Sequence, residues 1–264
     1  MKFRRLIKIV LIVCLLFEAL HLSLMLINHA FTSSGIAVLG YHSIVSDEEK
    51  DKYWKNNIYV MSVSQFKQQM QYLKDHHFKT LSMNEVYNYY KGKRELNGRN
   101  AALTFDDGYE NYAKIVEPIL KKYHFKGTCF VISHKTLVPN AKKPGVKTYL
   151  RQSQLINNDT SQYYSHTYNM HHKVGFKKQL EVATYQAIMH DFKQGRKIVS
   201  DEYFAYPYGL AGKQDPQAVK ANHVKLAFSY NEYRNLTRND DQYFLPRYVM
   251  AAGMPNLYFI WQLS

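Results

Sequence analysis

The stretch AALTFDDGYENY at residues 101–112 joins a short apolar run to two adjacent acidic residues. The run ends at Phe105, and Asp106, Asp107 and Gly108 follow it directly, as they would at the end of a buried β-strand. Adjacent buried carboxylates repel each other and lose hydration, so a metal ion, a shared proton or open water must offset their charge. Because Asp and Gly also form ordinary turns, the stretch alone does not decide among these alternatives.

Apolar runs typical of buried strands also lie on either side of this stretch. Residues 36–40 (IAVLG) precede it and residues 127–132 (GTCFVI) follow it, with helical apolar spacing at residues 115–123. Strands that alternate with helices pair in parallel through right-handed crossovers, which predicts a barrel-like α/β fold. His42 follows the first strand, at the end where parallel α/β folds build their active sites.

The other segments continue this alternation. The predicted helices are one that begins at Ser64 and those at residues 84–90, 176–192, 216–222 and 257–263; the predicted strands are at residues 78–81, 203–206, 225–229 and 243–250. Ser82 and Asp215 are the expected N-caps of their helices, and residues 47–57 are expected to form a charged loop.

The bulk composition limits the classes of protein to consider. The 264 residues suffice for one α/β domain with a full core after an N-terminal segment. A net charge of +14 favours attraction to an anionic surface, such as a membrane or an acidic cell-wall polymer. Nucleic acid is not expected as a partner, because Lys and Arg are scattered and no nucleic-acid-binding signature occurs. Cys14 and Cys129 indicate neither a disulfide nor a CxxC metal site.

The first 30 residues have the pattern of a signal anchor or signal peptide. Four basic residues within the first eight precede an apolar stretch that Glu18 and His21 interrupt. We expect a retained membrane anchor rather than a cleaved peptide, because the small residues of a cleavage site are poorly placed; an amphipathic helix is the alternative. Residues 31–264 would then form the domain outside the cell membrane, or a secreted, cell-surface-associated domain if the segment is cleaved.

Two histidines follow another strand-like segment, in the sequence SHTYNMH at residues 165–171. On a helix, the five-residue spacing of His166 and His171 would separate them by roughly 140° around the axis. At a strand end followed by a tight loop, both imidazoles can instead turn to one point. Two imidazoles and one carboxylate leave an open coordination position for water on a metal ion.

Three of these segments carry a family resemblance. Residues 104–108 (TFDDG), 165–171 (SHTYNMH) and 204–209 (FAYPYG) resemble the first three motifs of the polysaccharide deacetylases, the NodB-homology or carbohydrate esterase family 4. The resemblance covers residues 35–250 and implies a distorted (β/α) barrel. The histidine spacing and the early position of His42 are similar to the branch that deacetylates poly-N-acetylglucosamine.

The resemblance implies a role for each residue of the motifs. Asp107, His166 and His171 would bind a divalent metal, with zinc expected and cobalt or nickel as alternatives. Asp106 would be the general base and His42 the general acid. This division of roles agrees with the chemistry, since the metal activates water, a carboxylate takes its proton and an imidazolium protonates the departing amine.

The third motif contributes one expected group and one departure from the family pattern. The backbone N–H of Tyr208 would help to hold the oxyanion. Much of the family has an arginine two residues before the motif's proline, where this chain has Ala205. Arg247 is therefore the candidate partner of the base, with a purely structural arginine as the alternative. His172 is the alternative metal ligand to its neighbour His171.

The function expected from the resemblance is metal-dependent N-deacetylation of an extracellular poly-β-1,6-N-acetylglucosamine. Peptidoglycan, chitin-type oligomers and acetylated xylan are rival substrates. A non-catalytic polysaccharide-binding protein is the alternative from a different class, and Ala205 is the one feature in its favour. The expected partners are the polysaccharide, the membrane through the N-terminal segment, and anionic cell-wall polymers.

Overall fold

A parallel β-sheet organises the protein in a computed structural model that describes residues 2–32, 34–141, 143–230 and 234–264. The strands are β1 (Ala37–Tyr41), β2 (Ser43–Val45), β3 (Val60–Ser62), β4 (Lys79–Thr80), β5 (Asn100–Phe105), β6 (Gly127–Val131), β7 (Ser161–Ser165), β8 (Lys173–Val174), β9 (Lys177–Lys178), β10 (Tyr203–Ala205), β11 (Leu226–Phe228) and β12 (Tyr248–Val249). The α-helices are α1 (Lys2–Thr32), α2 (Asp47–Tyr53), α3 (Val63–Asp75), α4 (Met83–Tyr90), α5 (Glu117–Tyr123), α6 (Gln179–Val182), α7 (Tyr185–Gly195), α8 (Asp215–Ala221) and α9 (Asn256–Trp261).

The main sheet has the strand order β11, β10, β7, β6, β5, β1, β12, and β4 also pairs with β5. These strands are paired in parallel, so their carboxyl ends meet along one edge. The sheet forms a half-barrel, which is consistent with the predicted distorted (β/α) barrel. The α/β class and the parallel pairing predicted from the alternation of strands and helices are therefore confirmed.

Both faces of the sheet are buried, which explains why its strands are continuous apolar runs. Along β1, Ala37, Leu39 and Tyr41 join one buried cluster, whereas Val38 joins another together with Ile36, which lies just before the strand. Successive side chains of a strand point to opposite faces, so each face of β1 contributes to a separate core. A sheet covered on both faces requires apolar residues at every position rather than at alternate ones.

A C-terminal segment, residues 242–250, connects strands near the two opposite ends of the strand order in the sheet. The Leu245 N–H donates to the Ala227 carbonyl (2.8 Å) beside β11, and the Met250 N–H donates to the Gly40 carbonyl (2.9 Å) of β1. The predicted strand over this segment is too long, because regular pairing is limited to β12. Pro246 lacks an N–H to donate to a ladder, and it lies just before the paired residues.

Two predicted elements differ from the structure. Residues 47–57 are not simply a loop, because Ser46 caps α2 by accepting from the Glu49 N–H (3.1 Å), and acidic residues occupy its positive N-terminal turn. The helix predicted for residues 176–192 is wrong in its first half. There the β8–β9 hairpin turns at Gly175, whose φ of +60° suits glycine, and α6 and α7 follow separately.

The predicted helix caps are partly correct. Ser82 caps α4 and forms a capping box with Glu85, as the sequence indicates. Helix α3, which was predicted to begin at Ser64, begins at Val63 and is capped by Ser62. Asp215 lies in the first turn of α8 instead of preceding it, and its carboxylate accepts from the Gly212 N–H (2.6 Å).

The N-terminal segment forms one helix, α1, whose described apolar side chains, such as Leu15 and Phe17, are exposed. In the parts of the chain that the structure describes, no helix is both long and apolar enough to cross a membrane. The membrane segment predicted within residues 1–30, an apolar run that Glu18 and His21 interrupt, is therefore not supported.

Candidate active site

Three of the predicted metal ligands come together at the carboxyl edge of the sheet. Asp107 follows β5, His166 follows β7, and His171 lies five residues further on. One potential ligand atom from each residue lies within 4.8 Å of the others. Asp107 Oδ1 is 3.7 Å from His166 Nε2 and 3.2 Å from His171 Nε2. His172, the alternative ligand, is exposed and does not belong to this cluster.

The donor set fits a divalent cation. The buried Asp107 Oδ1 accepts no hydrogen bond from the described residues, which leaves a carboxylate oxygen free for a metal ion. His166 Nδ1 lies 2.7 Å from the Ala205 carbonyl oxygen, so Nδ1 carries the proton and Nε2 faces the cluster with its lone pair. Burial also lowers the pKa of His166 to about 4, which keeps the imidazole neutral as a metal ligand requires.

The loop between the two histidines is held by a residue that the sequence analysis missed. Asp191 of α7 accepts hydrogen bonds from the backbone N–H groups of Tyr168 (2.7 Å) and Asn169 (2.9 Å). Thr167 has a φ of +74°, and its hydroxyl accepts from the Met170 N–H (3.1 Å). These contacts fix the tight turn that brings both imidazoles to one point. A buried aspartate on a distant helix gave no signal of this role in the sequence.

Asp106 lies beside the metal-ligand cluster but does not belong to it, and it forms its own ion pair. Arg247 donates two parallel hydrogen bonds to it, Nη1 to Oδ1 at 2.8 Å and Nη2 to Oδ2 at 2.9 Å, with both side chains almost completely buried. Burial raises the pKa of Asp106, but the charge and hydrogen bonds of Arg247 outweigh it and hold the pKa well below its usual range. Arg247 thus supplies to Asp106 the cationic partner that Ala205 cannot supply.

Tyr230 is a second partner of Asp106 that the sequence analysis did not identify. Its hydroxyl donates to Asp106 Oδ2 (2.8 Å), and its ring lies 4.0 Å from the Arg247 guanidinium. A Cβ at Gly40 or Gly209 would fall within 2.5 Å of Tyr230 atoms, so the ring fills space that these glycines leave open. Its position just beyond Ser229, which follows β11, was the one available signal, because the other site residues also follow strands.

His42 lies in the same cleft, beside the rings of Tyr59 (4.9 Å between centroids) and Tyr230 (6.0 Å). Its Nδ1 has no hydrogen-bond partner within the described residues. Loss of hydration lowers the pKa of His42, although the charges of Asp107 and Asp106 oppose this shift. Burial thus opposes the protonated form of His42, whereas an acid role requires the imidazole to hold a proton during the reaction.

Tyr208 completes the set of predicted residues that line the cleft. It lies in the 3₁₀ turn Pro207–Gly209 with a φ of +60°, and its ring centroid is 4.5 Å from that of His171. The cleft has a volume of about 510 Å³ and opens onto Asp107. It is large enough for a sugar unit and its acetamido group.

The comparison with protein families agrees with this arrangement. The family model described as "Polysaccharide deacetylase" matches residues 93–227, which include the Asp107 and His166 segments. The chain belongs to this family. As a polysaccharide deacetylase, the protein is a hydrolase that acts on amide bonds.

This polysaccharide deacetylase is similar to named relatives over most of its length. It is 28% identical over 200 residues to a poly-beta-1,6-N-acetyl-D-glucosamine N-deacetylase of Staphylococcus aureus (strain MRSA252), covering 73% of this chain and 68% of the relative. A Staphylococcus epidermidis protein of the same name is 27% identical over equal shares.

Solved structures show the same fold. The Streptococcus pyogenes deacetylase PplD, in complex with acetate, has a TM-score of 0.73 and 24% identity, covering 87% of this chain and 98% of that one. IcaB from Ammonifex degensii has a TM-score of 0.71 and 22% identity, covering 88% and 98%. Because both sequence identities are low, this likeness shows only that the polysaccharide deacetylase shares their fold.

Proposed function

We propose that this enzyme removes N-acetyl groups from an extracellular poly-β-1,6-N-acetylglucosamine, with the help of a divalent metal ion for which zinc is the first candidate. The observation that carries the proposal is the convergence of Asp107, His166 and His171 into one donor set, with Asp106 held next to it. The names of the two staphylococcal relatives support the choice of polymer.

The metal would be held by Asp107, His166 and His171, and when bound it would supply Lewis-acid polarisation of the acetamide carbonyl and lower the pKa of water. Asp106 accepts the proton of the attacking water, for which it must be ionised. Its two hydrogen bonds from Arg247 fix both its charge and its orientation.

The leaving group needs a proton as the carbon–nitrogen bond breaks. The water oxygen becomes part of the released acetate, and the sugar nitrogen departs as an amine. His42 is the group we assign to protonate this nitrogen, because it lines the same cleft as Asp107. The backbone N–H of Tyr208, in the turn that lines the cleft, is assigned to the oxyanion.

The location outside the cell and the interaction with anionic cell-wall polymers belong to the same proposal. A polymer of N-acetylglucosamine is accessible to this enzyme where it leaves the cell. The net charge of +14 supports an attraction to acidic polymers at that surface.

The alternative of a non-catalytic binding protein depended on Ala205, and the contact of Arg247 with Asp106 removes that argument. Peptidoglycan and chitin-type oligomers have no specific feature of the structure in their favour. They serve as comparison substrates in the test.

The test is acetate release by the full-length protein from β-1,6-linked N-acetylglucosamine oligomers, with zinc, cobalt or nickel added. We expect release that stops with a chelator and falls by at least about a hundredfold in Asp106→Asn, because the base is lost. Unchanged release by Asp106→Asn would overturn the mechanism. Faster release from peptidoglycan fragments than from the oligomers would overturn the choice of polymer.

A further inference from the structure

Three lysines line the active-site cleft and have no part in the proposed chemistry. Lys147 comes from the segment between β6 and β7, and Lys173 and Lys178 come from the β8–β9 hairpin. Among the described residues that line the cleft, Asp107 is the one carboxylate. The lysines therefore outnumber the acidic groups there, and a bound divalent cation would add further positive charge.

Two of these ammonium groups are held close to the metal-ligand cluster by aromatic rings. Lys147 Nζ donates to the Tyr109 hydroxyl (2.6 Å) and lies 4.4 Å from the centroid of that ring. Lys178 Nζ lies 5.3 Å from the centroid of the Tyr208 ring, which itself packs 4.5 Å from His171. Such contacts order a lysine that would otherwise sample many rotamers in water.

The hairpin places like charges opposite each other. Lys173 and Lys178 are direct cross-strand partners in the antiparallel β8–β9 pair, an arrangement that destabilises a hairpin. Little apolar burial compensates for this cost, because Val174 is 51% exposed and Phe176 is fully exposed. The two charges thus lower local stability at a place where they face the cleft.

Deacetylation changes the charge of each sugar unit. The substrate unit carries a neutral acetamide, whereas the product unit carries an amine that is cationic when protonated. A polysaccharide that has already lost some acetyl groups brings cationic amines into a cleft that contains three ammonium groups. Like charges in such a cleft repel each other. A unit with an anionic substituent would be attracted instead.

We propose that Lys147, Lys173 and Lys178 make the cleft select neutral or anionic neighbouring units over units that already carry a free amine. The inference rests on the proposed deacetylase function and defines its substrate more narrowly. It assigns a specificity role to the β8–β9 hairpin, which follows the ligand His171 directly in the chain.

The test compares three oligomers of one length that differ at a single internal unit. That unit carries an N-acetyl group, a free amine or an N-succinyl group, which are neutral, cationic and anionic. We expect kcat/KM for acetate release at low salt to be roughly tenfold lower for the amine oligomer than for the other two. The difference should shrink at about 1 M salt, where the screening length is about 3 Å.

Matched variants identify the source of the selectivity. In the double variant Lys173→Gln/Lys178→Gln, and further with Lys147→Gln, the ratio between the acetylated and amine oligomers should approach one. The control Lys193→Gln/Lys220→Gln removes the same charge from exposed positions on α7 and α8 that do not line the cleft, and it should keep the wild-type ratio. A wild-type ratio in the cleft variants would overturn the inference.

A binding measurement separates this inference from the proposed function. If the neutral oligomer yields no acetate, the proposed function fails, but calorimetric titration of the same three oligomers still reports the charge selectivity. Tighter binding of the succinylated than of the amine oligomer supports the inference. Equal binding of all three overturns it.

Discussion

Asp106 combines two properties that usually exclude each other, deep burial and a stable negative charge. Burial disfavours the carboxylate, and removal of one partner of such a buried pair typically costs about 3–5 kcal/mol. Arg247 and Tyr230 together donate three hydrogen bonds to its two oxygens. The proposed base is therefore ionised and fixed in orientation before any substrate enters, which limits reorganisation during the reaction.

The first prediction concerns the pH dependence set by Tyr230. Tyr230→Phe removes one hydrogen bond from the charged form of Asp106, so the depressed pKa of that carboxylate should rise toward its ordinary value. The acid limb of kcat/KM against pH should move to higher pH. The depressed pKa of Asp106 stabilises the fold above the unfolded-state pKa of this carboxyl group, and this contribution disappears as pH falls through the folded-state pKa. Because the variant raises the folded-state pKa, acid unfolding should also begin at higher pH.

Tyr203→Phe is the control for this prediction. It removes a buried tyrosine hydroxyl that has no hydrogen-bond partner within the described residues, so it should leave the acid limb in place. An unchanged acid limb in Tyr230→Phe would show that the tyrosine serves packing alone.

Individual site residues were predictable from sequence when they combined a strand end with an unusual residue type. Asp106, Asp107 and His166 meet both conditions. Tyr230 also follows a strand, but tyrosine occurs 23 times in the chain and carried no distinguishing signal. Asp191 acts from within a helix through backbone contacts, which no residue pattern encodes.

At the scale of elements, α7 supports the proposed metal site without contributing a ligand. The Asp191 carboxylate on this helix accepts hydrogen bonds from two backbone N–H groups in the turn between the two histidines. The second prediction is that Asp191→Ala weakens metal binding by roughly 10- to 100-fold, the usual cost of losing an outer support of a ligand. Competition with a chromogenic chelator measures the affinity, and excess metal should restore part of the activity.

Asp159→Ala removes a carboxylate from an exposed loop and is the matched control. Its metal affinity should equal that of the wild type. If Asp191→Ala lowered the melting temperature but left metal affinity unchanged, the role of α7 in the site would be refuted.

Elements were predictable where a continuous apolar run or a helical period was clearly bounded, as in β1, β5, β6 and α4. Elements whose structure depends on charge or on a tight turn were not predictable in this way. Helix α2 has no buried residue to reveal a helical period, and it forms through its Ser46 cap and acidic first turn. The β8–β9 hairpin was hidden because Phe176, the residue taken to begin a helical stripe, is exposed at a turn.

At the scale of the whole molecule, metal binding and folding should be coupled, since the proposed ligands follow strands that are distant in sequence. The third prediction is that zinc at about 100 times its Kd stabilises the native state by about 2.7 kcal/mol. For a domain of this size, that corresponds to a rise in Tm of roughly 5–10 °C. Thermal unfolding with and without zinc measures the shift.

The adjacent histidines provide matched variants for this measurement. His171→Ala should abolish the shift, whereas His172→Ala, which lies outside the cluster, should retain it. The opposite result would reassign the third ligand to His172.

The fold class was predictable at this scale because alternating strands and helices permit few parallel arrangements. The contact between residues 242–250 and both sides of the sheet was not predictable, since it depends on which distant segments meet. The sequence offered only Pro246 and an arginine beside it. Arg247 was the candidate partner of Asp106 on the sequence alone, and its hydrogen bond to that carboxylate is the physical basis of the pairing.

The late position of β12 determines when a newly made chain can become active. Leu39 pairs with Tyr248, and Arg247 reaches Asp106 from 141 positions further along the chain, so the first strand and the proposed base both wait for residues that are synthesised much later. Until then, the base has no counter-ion and the sheet lacks its last strand. We therefore expect a nascent or clipped chain that ends before Arg247 to be less stable and inactive, because Asp106 would lack the cation that offsets its buried charge.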